Sequence, residues 1–320
     1  MKRETMKPTD KTKLKQALTV AQLYYEENLS QAAIAQKMGL SRPTISRLLQ
    51  LAKESGLVKI QIENPFLNDA DLTDILSQKY QAQIHVVAPH FAGQTTNLDS
   101  VGAYAANFLT NLVKPNDIIG IGWGKTIHAM TQNLTEQIVP GVQTVQLKGG
   151  FSFSHEKTFS YESINELAQA FHTQAQYLPL PTIFDSQVTK DLVEQDRFIK
   201  QILDLGKQAN IALFSVGTVR SNSLLFNLGY LTQQQKSALQ AKAVGDIVSR
   251  FIDSEGQIID QELNQRTVGI EASDLKQKQT SIVIASGLQK AAAVHAVLKA
   301  HYANFAILDT ALAQSLINYE

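Results

Sequence analysis

In the segment 145–150, VQLKGG, an apolar run closes on Lys148 and is followed at once by Gly149 and Gly150. An ammonium beside an apolar strand costs several kcal/mol unless it is paired. A lysine here therefore suggests an incoming group to meet, with the glycines leaving room for close approach. The plain alternative is a surface lysine at a strand end. A second candidate is GIGWGKT, 120–126. Its glycines permit a tight strand-to-helix turn, and a helix starting near Lys125 or Thr126 presents free backbone N–H groups to an anion. Gly122, Gly124, Lys125 and Thr126 would then cradle a phosphate, with Trp123 as packing residue or pocket wall. The spacing is too short for a Walker motif, and no acidic partner stands about 20 residues on to complete a dinucleotide fingerprint. A merely tight turn is the competing reading.

Three further stretches carry similar residues. GTVR, 217–220, again has a glycine, Gly217, at a strand end, and Thr218 can donate a hydroxyl. In AVGDIVSRF, 243–251, Asp246 and Arg250 interrupt what reads as one apolar strand. A carboxylate there suits sugar hydroxyls; an internal salt bridge is the alternative. SGLQK, 286–290, places Gly287 at a strand end and Lys290 in the first turn of a helix. A cation there opposes the helix dipole unless an anion joins it. His85, His90, His128, His155, His172, His295 and His301 show no metal-ligand spacing, so they read as structural, with no metal and no cofactor expected.

The elements that must position these residues alternate. Apolar runs at 82–89, 117–124, 142–150, 209–217, 280–287 and 304–309 read as strands, and amphipathic stretches between them read as helices. Strands that are continuously apolar and each followed by a helix indicate a parallel sheet covered on both faces. Ligands of such sheets bind outside the C-terminal strand ends, where the candidate residues lie. The expected class is α/β, Rossmann-type.

The first 64 residues read differently. Leu18, Ala21, Leu23 and Tyr24 fall near helical spacing in a first helix. Ser30 then caps a helix with Ala33, Ile34 and Met38 on its apolar face, stopped by Gly39. Ser41 opens the next helix, with Pro43 in its first turn and Ile45, Leu48, Leu49 and Ala52 on the buried side. Two short helices across a glycine turn form a helix-turn-helix, whose second helix enters the major groove. Ser41, Arg42, Thr44, Ser46 and Arg47 lie off the apolar stripe and can read bases or hold phosphates, and Gln31 is a backbone-contact candidate. GLVKIQI, 56–62, alternates like the strand of a wing. A three-helix oligomerisation or adaptor module is the alternative.

Charge agrees with this division. The chain of 320 residues has 29 Lys+Arg and 29 Asp+Glu, yet residues 1–64 hold 11 of the former and 6 of the latter. A basic head on an acidic body suggests that one end meets a polyanion. The absence of cysteine excludes disulfides, Cys-ligated zinc and thiol catalysis. No apolar run approaches the roughly 18 residues of a membrane span, so a soluble, cytoplasmic protein with no membrane partner is expected. The domain boundary is expected at 64/65, giving domains 1–64 and 65–320.

Taken together, LYYEENLSQAAIAQKMGLSRPTISRLLQLAKESGLV, GIGWGKT, TVQLKGG, YLPLP, ANIALFSVGTVR, AVGDIVSRFID and RTVGIE resemble the SorC family of bacterial transcriptional regulators from about residue 15 to the end. Within that family the sequence is most similar to the deoxyribonucleoside regulators. The resemblance implies a winged helix-turn-helix domain on a sugar-phosphate isomerase-like effector domain, assembled as dimers or tetramers. It also implies repression of a sugar-catabolic operon by operator binding, relieved by a phosphorylated sugar. Deoxyribose 5-phosphate carries an aldehyde, and an unprotonated Lys148 can form a Schiff base with it; by resemblance Lys148 takes the inducer-lysine position. Two features depart from the family: Ser286 stands where relatives commonly have a second glycine, and 151–157, FSFSHEK, match no family pattern. Other readings are the same regulator with another sugar phosphate, or an isomerase or Schiff-base aldolase with a DNA-binding head. No enzyme activity is expected, since an aldolase needs a proton-transfer partner and only Asp246 stands near.

Overall fold

A computed structural model describes residues 8–27, 29–58, 68–152 and 154–319. The chain divides into two compact units, Met1–Asn64 and Pro65–Glu320.

In the first unit, α1 (Pro8–Tyr25) precedes α2 (Gln31–Met38) and α3 (Arg42–Glu54). The Ser30 hydroxyl accepts the Ala33 amide at 3.2 Å, and Gly39 ends α2 in the left-handed region at φ 64°. Ser41 caps α3 by accepting the Thr44 amide at 3.3 Å, with Pro43 in the first turn. Ile45, Leu48, Leu49 and Ala52 of α3 pack with Ile34 against Ala17, Val20, Ala21 and Leu23. The expected stripe of α1 is shifted: Leu18 is 43% exposed, because Ala17, Val20, Ala21 and Tyr24 keep the i, i+3, i+4, i+7 spacing and Leu18 does not. The expected wing strand at 56–62 lies outside the described residues from 59 onward.

The second unit is built around β-strands. They are β1 (Gln83–Val87), β2 (Ile118–Ile121), β3 (Gln143–Gln146), β4 (Ala175–Gln176), β5 (Ile211–Phe214), β6 (Val216–Gly217), β7 (Gly245–Ile247), β8 (Arg250–Ile252), β9 (Thr280–Ala285) and β10 (Phe305–Asp309). Among the described residues, seven of them form one parallel sheet in the order β1-β10-β9-β5-β2-β3-β4. Every residue of β5 and β9 is buried. Their side chains divide by parity: Ile211, Leu213, Ile282 and Ile284 face one apolar cluster, while Ala212, Phe214, Val283 and Ala285 face the other. The helices Asn97–Leu112 and Ser160–Ala170 cover the first face, and Asp69–Tyr80, Ala291–Lys299 and Thr310–Ile317 cover the second. Two covered faces are the reason the strands read as continuous apolar runs.

One element differs from expectation. AVGDIVSRF is a hairpin, not one strand: β7 and β8 pair antiparallel across Val248 and Ser249, with φ 42° and 69°. With β6 they form a small three-stranded sheet at the C-terminal end of β5. Helices Gln187–Glu194 and Arg197–Gln208 between β4 and β5 are additional to the sequence expectations. No helix among the described residues is long and apolar enough to cross a membrane.

Candidate functional site

A cavity of about 340 Å³ opens beside the C-terminal ends of β2, β3 and β5. That volume is in the range of small-molecule sites. The structure brings together Trp123, Gly124, Lys125 and Thr126 after β2, Lys148 after β3, Gly217 and Thr218 after β5, Asp246 on β7, and Lys290 after β9. Loops from distant parts of the sequence converge there because parallel strands put all their C-terminal ends on one edge.

Lys148 is 6% exposed, which removes the surface-lysine alternative. Its Nζ donates to Ser249 Oγ at 3.1 Å and lies 3.7 Å from the centre of the Trp123 ring. The indole is fixed in turn, since its Nε1–H donates to the Gly149 carbonyl at 2.8 Å. Burial lowers the Lys148 amine to about 8, against an opposing pull from Asp246. Asp246, 5% exposed, is raised by burial and drawn back down by Lys148, the Ser249 backbone and Lys290. Gly217 makes this carboxyl's position available, because a Cβ at 217 would overlap Asp246 Oδ1.

Lys290 supplies a second cation. Its Nζ donates to Thr126 Oγ1 and Ser215 Oγ, both at 2.9 Å. Burial lowers it to about 8, with Asp246 and Asp309 opposing. The helix Lys125–Thr131 starts at Gly124 with no side-chain cap, so its first amides are uncapped beside Thr126 and Lys290. An anionic group entering here would satisfy the amides and favour the charged form of Lys290.

Five expected residues do not line the cavity. Gly149 and Gly150 are small for packing, not for ligand approach: a Cβ would collide with the carbonyls of Leu180 and Pro181 at 149, and with Ser160 at 150. Gly122 is tied to β5 instead, its amide donating to the Leu213 carbonyl at 2.8 Å. Gly287 is drawn away by Asp309, whose Oδ2 accepts its amide at 2.6 Å. Arg250 is a brace. Its guanidinium donates to the carbonyls of Ile270, Asn264 and Gly269, to Asn264 Oδ1, and to Glu271 at 2.9 Å. Arg250 stands opposite Ile247 in the hairpin and Asp246 opposite Phe251, so the two lie on different faces and do not pair.

Sequence reading missed Ser215, Arg220, Asn222, Ser223, Gln289 and Glu156 on the cavity wall. The buried Ser223 hydroxyl has no hydrogen-bond partner among the described residues. The signal was available in the run TVRSNS, 218–223, directly after a strand-end glycine. Glu156 places part of the unmatched 151–157 segment at the rim.

In the first unit, Ser41, Arg42, Ser46 and Arg47 are exposed, Gln31 and Thr44 partly so. Arg42, Ser46 and Arg47 are exposed on α3, outside its buried row Ile45, Leu48, Leu49 and Ala52. The hydroxyls of Ser41 and Thr44 lie 2.8 Å apart and are hydrogen-bonded to each other.

Residues 64–318 match the family described as "Putative sugar-binding domain", and residues 11–65 match the MarR family. The chain is 45% identical over 313 residues to the deoxyribonucleoside regulator of Bacillus subtilis strain 168, covering 97% of this chain and 99% of that one. It is 29% identical over 302 residues to the sorbitol operon regulator of Klebsiella pneumoniae, covering 93% and 96%. The crystal structure of the full-length sorbitol operon regulator SorC from Klebsiella pneumoniae matches with a TM-score of 0.70 at 26% identity, over 96% of this chain and 100% of that one.

Proposed function

The chain belongs to the SorC family of sugar-binding transcriptional regulators, and on that premise we propose that it represses a deoxyribonucleoside or sugar catabolic operon and is released from its operator by deoxyribose 5-phosphate. The observation that carries this reading is Lys148. A primary amine buried in a cavity, held near a pKa of about 8, is about one-tenth unprotonated at pH 7, against well under one-thousandth for an ordinary lysine. That free amine condenses with an aldehyde. Thr126, Lys125 and Lys290 with the uncapped amides hold the phosphate, and Thr218 meets the sugar hydroxyls.

On the DNA side, Arg42, Ser46 and Arg47 read base edges, while Gln31, Ser41 and Thr44 position the backbone. One recognition helix reads only a few base pairs, so a homodimer or homotetramer on a partly palindromic operator follows. Inducer binding shifts the equilibrium only if it favours one conformation over the other, and the imine supplies that preference. A second reading has an observation of its own. Asp246 beside Lys148 could also serve a Schiff-base aldolase, and product formation from the sugar phosphate would reveal that activity.

Titration of aldose and ketose phosphates while following operator release tests the reading. Deoxyribose 5-phosphate is expected to release the operator, with free deoxyribose much weaker. Equal potency of a ketose phosphate would assign a different effector.

A further inference from the structure

Lys148 and Asp246 enter the cavity from separate parts of the chain, and the turn between β7 and β8 couples them. The Ser249 hydroxyl accepts from Lys148 Nζ at 3.1 Å, and the Ser249 backbone favours the Asp246 carboxylate. Putting Ser249 there requires φ of 42° at Val248 and 69° at Ser249. A β-branched residue enters that region only where its surroundings impose it, and Val248 is 2% exposed. Gly217 yields the space that the Asp246 carboxyl fills.

We propose that Asp246 donates the proton that completes imine formation at Lys148 and then remains as counter-ion of the product, an inference that rests on the imine reading above. The neutral amine adds to C1 of the aldehyde, and the proton leaving nitrogen ends on the former carbonyl oxygen, giving a neutral carbinolamine. Asp246 protonates that hydroxyl. The C–O bond breaks, water departs, and the nitrogen lone pair forms the C=N bond. The products are an iminium on Lys148, a carboxylate on Asp246 and one water, with no proton exchanged with solvent.

The surroundings favour both ends of this step. Before ligand arrives, burial favours the uncharged form of each partner, and the charge of each opposes that shift in the other. Afterwards the iminium lies against the Trp123 ring, whose face attracts a cation. Other donors fit less well: the Ser249 hydroxyl is a far weaker acid, and Lys290 is held by Thr126 and Ser215.

The test follows the rate of imine formation in full-length protein. Wild type, Asp246→Asn and Asp246→Ala are mixed with deoxyribose 5-phosphate and quenched with borohydride at intervals, and the adduct on Lys148 is quantified by mass spectrometry. Asp246→Asn is expected to form the adduct about 100-fold more slowly or worse, and added formate is expected to restore rate to Asp246→Ala. A wild-type rate in Asp246→Asn, or a slowed Asp246→Ala that formate leaves unchanged, would overturn the proposal. Wild type alone is also informative if the variants fail to fold. With its acid built in, its rate stays constant as formate is raised at fixed pH, and a rate climbing with formate would remove Asp246 from the role. Absence of any adduct on Lys148 in wild type defeats the imine reading itself, a different failure from a normal rate without Asp246.

Discussion

The proposed DNA-reading face and the proposed effector pocket use opposite kinds of residue. The first works through exposed side chains on one helix: Arg42, Ser46 and Arg47 within two turns of α3. The second works through buried ones, with Lys148 and Asp246 at 6% and 5% exposure, delivered by strand ends about 100 residues apart. An exposed site can lose a residue without disturbing its scaffold. A buried site is more sensitive, because each charged group there is a neighbour whose charge the others feel. That contrast should appear in every substitution.

The largest effect is expected at Arg250. Its guanidinium satisfies carbonyls of three residues and Glu271 from a fully buried position. Arg250→Met should lower stability by about 3–5 kcal/mol, since breaking a buried network strands its acceptors. Denaturant unfolding checks this, and a loss below ~1 kcal/mol would mean the brace is dispensable.

Substitutions on α3 come next. Arg42→Ala or Arg47→Ala should weaken operator binding by about 1–3 kcal/mol if the side chain contacts a base, with sugar-phosphate affinity unchanged. Gel-shift titration beside calorimetry separates the two readouts. Equal operator affinity for both variants would dissolve the assignment of this face.

Legibility in the sequence follows the same contrast. Signals confined to a few residues were readable: the Ser30 and Ser41 caps, the Gly39 stop, and the buried stripe Ile45, Leu48, Leu49, Ala52. The covered sheet was readable too, because burial on both faces leaves uninterrupted apolar runs such as 280–285. What was lost depends on contacts across the chain. Val248-Ser249 carries no turn residue, so the β7–β8 hairpin read as one strand; tertiary packing imposes its positive φ. Gly149 and Gly150 looked like room for ligand, yet the occupants of that room are Leu180, Pro181 and Ser160. The polar run 218–223 marks a loop at a strand end, but not which of its side chains turn inward, and so Arg220, Asn222 and Ser223 were passed over.

A smaller effect tests the anion end alone. A phosphate ester without an aldehyde cannot form an imine, so its affinity reports on the pocket's cations, and comparison with Lys290→Met isolates the share of Lys290 from that of Lys148. Burial holds Lys290 at about 8, against the pull of Asp246 and Asp309, and a bound dianion raises it. The bound form therefore holds a proton that the free form releases above pH 8. Affinity should be full below pH 8 and fall by up to about tenfold per unit above it. Binding of glycerol phosphate across pH 7–9 measures this, and Lys290→Met should flatten the profile. A flat profile in wild type would place the phosphate elsewhere.

The smallest change is expected at Ser30. Ser30→Ala removes one N-cap and should cost about 1 kcal/mol, confined to the first unit. Ligand binding by the second unit should not respond. A change in sugar-phosphate affinity would show the units to be coupled through α2.

The central claim, an imine at Lys148, is met most directly by borohydride trapping with deoxyribose 5-phosphate followed by peptide mass analysis. One sugar-phosphate mass is predicted on the peptide containing Lys148. It should be absent from Lys148→Arg, which lacks a nucleophilic primary amine and should bind operator yet no longer release it on induction. An adduct on another lysine, or normal induction of Lys148→Arg, would contradict the account.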